Sequence, residues 1–157
     1  MSVRADVETF RSIPIFSGCD PVHLQLLAFS AQRHPFAAGE TLLKQGIKSS
    51  AAFLVLSGRA ELLSDDAPIG SAGPGAMLGE VAMIADLPSN ITARASEPLQ
   101  ASRIDRSLFM RLASEYPEFG ATVFAALARK LDGAIADLSG LRPAFDQSRG
   151  FRGLRSS

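Results

Sequence analysis

Gly73-Pro74-Gly75-Ala76-Met77-Leu78-Gly79-Glu80-Val81-Ala82-Met83-Ile84-Ala85, continuing as Asp86-Leu87-Pro88-Ser89-Asn90-Ile91-Thr92-Ala93-Arg94-Ala95, is the stretch on which the rest of the chain depends. Three glycines within seven residues (Gly73, Gly75 and Gly79) free the backbone and let another group approach the main chain closely. Glu80 to Ala85 is predicted to form one short helical turn, whose first amides have no intrahelical acceptor. Amides presented at a helix start after a Gly-rich loop favour an anion, typically a phosphate. Asp86 to Asn90 reads as a turn cluster, and Ile91 to Ala95 as a strand returning beneath the helix.

This order of residues resembles the phosphate-binding cassette of cyclic-nucleotide-binding domains. The family pattern is Gly-Glu-(apolar)-Ala-(apolar)-(apolar), a few residues, then Pro-Arg-(Ala/Ser)-Ala-Thr-(apolar). Gly79, Glu80, Val81, Ala82, Met83, Ile84, Pro88 and Thr92 match it. The resemblance implies that Glu80 holds a ribose hydroxyl, while Gly79 and the amides of Val81 and Ala82 hold the cyclic phosphate of cAMP or cGMP. Without the resemblance, Glu80 reads as a helix-capping or solvated carboxylate.

The chain departs from the pattern after Pro88, where Ser89 stands in place of the family's arginine. Losing an arginine–phosphate pair in a partly buried site costs on the order of 2–5 kcal/mol, tens to thousands of fold in affinity. Ser89 and Asn90 can each donate a neutral hydrogen bond worth about 0.5–1.5 kcal/mol, which does not replace a charge. Thr92 reads either as a pocket contact or as a β-favourable filler. Arg94 shares a strand face with Thr92 and Asn90 and reads mainly as a surface arginine.

Outward from the cassette, Val3, Val7 and Phe10 have helical spacing, and Asp20-Pro21 is a helix start that buries Leu24, Leu27 and Ala28. From Arg33 to Ile104 the period drops to two. Strands are expected at Glu40–Lys44, Ala51–Leu56, Arg59–Leu63, Pro68–Ala72, Ile91–Glu97 and Leu99–Ile104, with the second and third forming a hairpin. Asp105 is expected to cap a helix through Ser114 that packs Leu108, Met110 and Leu112. Pro117 opens a last helix to about Ser139-Gly140, in which Phe124, Leu127, Leu131, Ala134, Leu138 and Leu141 alternate spacings of three and four. That stripe fits packing against the chain's own strands as well as pairing with a second copy. The expected class is α+β: a β-roll or jelly-roll barrel with short N-terminal helices, a cassette helix and a long C-terminal helix. Residues 1–141 read as the ligand-binding-like domain and residues 142–157, with Arg142, Arg149, Arg152 and Arg155, as a flexible tail.

Composition narrows the function classes. Sixteen basic and sixteen acidic residues cancel, which argues against a domain-wide nucleic-acid footprint. A single cysteine, Cys19, excludes an internal disulfide and fits a reducing, cytoplasmic compartment. No apolar run reaches membrane-span length. His23 and His34 have no partner at ligand spacing, so a cupin-type metal enzyme is disfavoured, no metal site is expected, and Cys19 reads as a small packed residue. The expectation is a stand-alone, non-enzymatic regulatory module. It would bind cAMP or cGMP through Gly79, Glu80, Val81, Ala82, Ser89, Asn90 and Thr92, and signal through its last helix and a homodimer made by it, with no DNA-binding domain. The alternative is a degenerate member that has lost the nucleotide, through Ser89, and acts as a protein-interaction domain.

Overall fold

In the computed structural model, residues 3–131 are described. Helix α1 (Val3–Arg11) and helix α2 (Pro21–Ser30) lie ahead of the strands. Asp20 starts α2 as its sequence requires: its Oδ1 accepts from the Val22 amide at 2.9 Å, and Pro21 occupies the first turn. Leu24, Leu27 and Ala28 are buried as expected. The link between the helices turns Ile13, Ile15, Phe16 and Cys19 inward, with the Phe10 and Phe16 rings edge to face at 5.7 Å.

The strands are β1 (Gln32–Phe36), β2 (Thr41–Leu43), β3 (Ala51–Ser57), β4 (Ala60–Ser64), β5 (Ala67–Ala72), β6 (Met77–Leu78), β7 (Thr92–Ala95) and β8 (Leu99–Asp105). They form two four-stranded antiparallel sheets, ordered β1-β8-β3-β6 and β2-β7-β4-β5. This is the expected jelly-roll type of architecture, with one correction: the sheets face each other without closing into a barrel. Pro35 lies in β1, at a sheet edge where its missing N–H breaks no interior ladder.

The expected β3–β4 hairpin is also corrected, because β3 and β4 belong to different sheets. Between them Gly58 adopts φ +84, and a Cβ there would lie 2.3 Å from the Pro98 carbonyl oxygen. The chain therefore crosses from one sheet to the other at a position only glycine fits. The hairpin is β4–β5 instead, turned by Asp65 and Asp66 at φ 51 and 66, the left-handed pair that a two-residue hairpin loop requires.

β3 explains its own apolar run. Ala52 and Leu54 face the helices, whereas Ala51, Phe53 and Val55 face the second sheet. A strand covered on both faces loses the usual alternation with polar residues. Helix α4 (Arg106–Glu115) buries Leu108, Phe109 and Leu112, so Phe109 takes the central place expected of Met110, which is only partly buried. Asp105 does not cap α4 through its side chain, because its Oδ1 accepts from Arg103 Nε at 2.8 Å.

The last helix, α5, is described over residues 117–131. Phe119, Val123 and Leu127 are buried and Leu131 is partly buried against the same cluster. Phe124 departs from the expected stripe: it is 41% exposed and meets Phe109 at its edge. The described part of α5 thus packs on its own chain. Ala134, Leu138, Leu141 and the arginine-rich tail lie outside the described residues.

Candidate functional site

β6 delivers the chain to Gly79, which sits at φ +82 immediately before α3 (Glu80–Ala85). A left-handed residue here swings the strand directly into the helix, and glycine adopts it without the Cβ penalty. The Met83 amide bonds the Gly79 carbonyl at 3.0 Å, leaving the amides of the first turn, including Val81 and Ala82, without an intrahelical acceptor. At the other end Asp86 turns left-handed (φ 59) and the Leu87 amide returns to the Ala82 carbonyl at 2.8 Å.

Arg106, on α4, completes that end of α3: its Nε donates to the Met83 carbonyl at 2.9 Å and its Nη2 reaches the Ile84 carbonyl at 3.5 Å. The sequence reading missed this residue. A signal existed, because a cation in the first turn of a helix opposes that helix's dipole and implies a partner elsewhere.

The return segment is knitted to the loop before β3. The Gly46 amide donates to the Ser89 carbonyl at 2.8 Å and the Ser89 amide to the Ile47 carbonyl at 3.1 Å. Ser89 is buried, and its Oγ donates to the Ile91 carbonyl at 2.7 Å while accepting from the Ile91 amide at 3.3 Å. Its hydroxyl proton is thereby committed within the turn. Thr92 is buried on β7, with its Oγ1 accepting from the Gln45 amide at 3.0 Å.

These elements enclose a cavity of about 520 Å³. Of the residues singled out from sequence, Gly79, Glu80, Val81, Ala82, Ser89 and Asn90 line it, and Thr92 does not. Arg94 sits on β7 opposite Thr41 and Glu61, away from the lining. Lys130 and Leu131 bring α5 to the cavity mouth, where Lys130 Nζ stands 3.8 Å from Glu80 Oε2. Of Ala126, Arg129 and Lys130 on α5, only Lys130 is in the lining.

His23 packs against Tyr116 and Phe119, with ring centroids at 5.1 and 5.9 Å, and His34 against Phe36 at 4.5 Å. Among the described residues no group of three or more His, Cys, Asp or Glu is arranged to hold a metal ion. Nor is any described helix long and apolar enough to cross a membrane.

Residues 33–116 match the family model of the cyclic nucleotide-binding domain, more than half of the 157 residues. The chain belongs to the cyclic nucleotide-binding domain family. Among relatives of this domain, the cAMP-dependent protein kinase regulatory subunit of Yarrowia lipolytica is 28% identical over 98 residues, 62% of this chain and 26% of that protein. The cyclic AMP receptor protein of Thermus thermophilus is 26% identical over 141 residues, 87% of this chain and 64% of that protein. A solved cyclic nucleotide-binding-like protein from Brucella abortus is 30% identical, covers 70% of this chain and 98% of its own, and superposes with a TM-score of 0.63. The chain thus spans about a quarter of the kinase regulatory subunit. By name, the first of these relatives is a regulatory subunit and the second a cyclic AMP receptor.

Proposed function

We propose that this cyclic nucleotide-binding domain binds a cyclic nucleotide, cAMP or cGMP, in the cassette cavity and works as a regulatory binding module. The observation that carries the reading is the convergence of Gly79, Glu80, Val81 and Ala82, from the start of α3, with Ser89 and Asn90 on one cavity. In this reading Glu80 accepts from the ribose hydroxyls, and the amides of Val81 and Ala82 hold the phosphate. Asn90, exposed at the lining, supplies a neutral donor. Ser89 closes the turn behind it, and Thr92 anchors the return strand to Gln45. α5 transmits the event, because it contacts both the cavity and the core. A ligand that favours one helix position over another shifts α5 and whatever it pairs with, including a second copy of the chain.

Isothermal titration with cAMP and with cGMP, after removal of co-purified nucleotide, tests the reading. Binding is expected, and Glu80→Ala should weaken it by about tenfold or more, the consequence of removing a charged hydrogen-bond acceptor. Equal binding by both proteins would remove Glu80 from the ligand. A second reading, a degenerate interaction domain, is favoured by one observation: Ser89 presents neither a charge nor a free hydroxyl proton to the cavity. Silence at saturating nucleotide, with an unchanged melting temperature, would select it.

A further inference from the structure

Glu80 and Lys130 are the charged side chains among the described residues lining the cavity. Glu80 is nearly enclosed, at 13% exposure, and Lys130 is half open, at 47%. At 3.8 Å they form an ion pair that is too long to be a hydrogen bond. A flexible ammonium at the mouth is the member of such a pair that moves; the enclosed carboxylate stays.

Other cations near the site are paired elsewhere or lie outside the lining. Lys48 stands 3.5 Å from Asp86, Arg106 is held on the Met83 carbonyl, and Arg94 lies on β7 outside the lining. The cassette's return segment offers no charge, since Ser89 is neutral and its proton is committed to Ile91. Among the described lining residues, an anionic ligand therefore meets one cation, and that cation already neutralises the carboxylate the ligand's hydroxyls would need.

We propose that Lys130 is the specificity-determining residue that senses the ligand's charge by exchanging partners. It pairs with Glu80 in the empty cavity. It passes to the ligand's anionic group on binding and leaves the Glu80 carboxylate free to accept from the ligand's hydroxyls. This inference rests on the nucleotide reading above. It makes recognition joint: a hydroxylated ligand without an anion competes with Lys130 for Glu80, and only an anion draws Lys130 away. Because Lys130 is on α5, the ligand's charge is what displaces that helix.

The test is titration of the wild type, Lys130→Gln and Lys130→Arg with the cyclic nucleotide and with adenosine, an uncharged probe carrying the ribose hydroxyls. Lys130→Gln is expected to weaken the cyclic nucleotide about tenfold, in line with loss of a partly buried charge contact, and to leave adenosine unchanged or tighter. Lys130→Arg keeps the charge and should stay within about threefold of wild type. Raising ionic strength should weaken cyclic-nucleotide binding in the wild type more than in Lys130→Gln. Wild-type affinity for cyclic nucleotide in Lys130→Gln overturns the inference and leaves the nucleotide reading standing. Equal losses for nucleotide and adenosine overturn it as well, since they mark disturbed helix packing. If adenosine is too weak to measure with either protein, rescue by Lys130→Arg supports the inference and failure of rescue overturns it. A wild type silent to both cyclic nucleotides overturns the inference together with the nucleotide reading.

Discussion

Arg106 and Met83 join two helices end to side: the guanidinium Nε of α4 donates to the last-turn carbonyl of α3 at 2.9 Å. Carbonyls at a helix C-terminus lack intrahelical donors and carry the negative end of its dipole, so a half-buried arginine satisfies both needs at once. The contact holds the C-terminal end of the cassette helix at residues outside the cavity lining. Arg106→Ala should lower unfolding free energy by about 1.5–3 kcal/mol, the range for a hydrogen bond to a charged donor. Arg106→Lys should recover only part of it, because an ammonium cannot bridge two carbonyls as the planar fork does. Urea unfolding of the three proteins checks this, and equal midpoints would show that α3 needs no such support.

Ser89 is expected to matter to stability and not to affinity. Its hydroxyl bonds both the amide and the carbonyl of Ile91, and removing it leaves those groups without that partner in a part-buried environment. Ser89→Ala should cost about 1–2 kcal/mol while changing the nucleotide dissociation constant by less than about twofold, well under the 1.4 kcal/mol of a tenfold change. A large loss of affinity at unchanged stability would make Ser89 a ligand contact after all.

Gly79 should resist substitution for a backbone reason. At φ +82 any L side chain is strained, and an added Cβ would also sit 3.0 Å from a Leu43 methyl. The methyl is the end of a flexible side chain and can yield; the φ angle cannot change without redirecting α3. Gly79→Ala should therefore destabilise by about 1–2 kcal/mol and weaken ligand binding further, since the first-turn amides shift with it. Paired unfolding and titration experiments read both effects, and loss of neither would mean the left-handed turn is dispensable.

Cys19 gives a pH signature. Burial pushes its thiol up from 9.0 to about 11, because a thiolate is poorly solvated inside the helical cluster. The folded state therefore holds this proton more tightly than the unfolded chain. The stabilisation is fully present below about pH 9 and is lost as pH rises toward about 11. The same burial predicts slow alkylation of the native protein at neutral pH and fast alkylation after denaturation. Cys19→Ala should flatten the alkaline limb of the stability curve; an unaltered limb would assign it to other groups.

How much of this protein is written locally can be read residue by residue. Asp20-Pro21 starts a helix because the cap and its target amide are two positions apart. Gly79 breaks strand from helix because its own φ angle is what matters. The doubly covered β3 announces itself as an uninterrupted apolar run, and Gly79 to Ala82, contiguous in sequence, line one cavity. Each of these depends on backbone preference or on periodicity within a few residues, and such information survives without knowing the partner.

Other features depended on the tertiary structure. Assigning β3 and β4 to different sheets rested on their pairing partners, β8 and β6 for β3 and β7 and β5 for β4. Thr92 lies outside the cavity lining, and its Oγ1 accepts from the Gln45 amide, forty-seven positions away. Ser89 closed on Ile91, and Arg106 found carbonyls on another helix. Above all, Lys130 meets Glu80 fifty residues away only because Phe119, Val123 and Leu127 seat α5 on the core at one rotation. A hydroxyl or an ammonium has many acceptors within reach of its sequence, with similar free energies. Which one it takes is decided by the register of strands and the packing of helices, and those are properties of the whole folded chain.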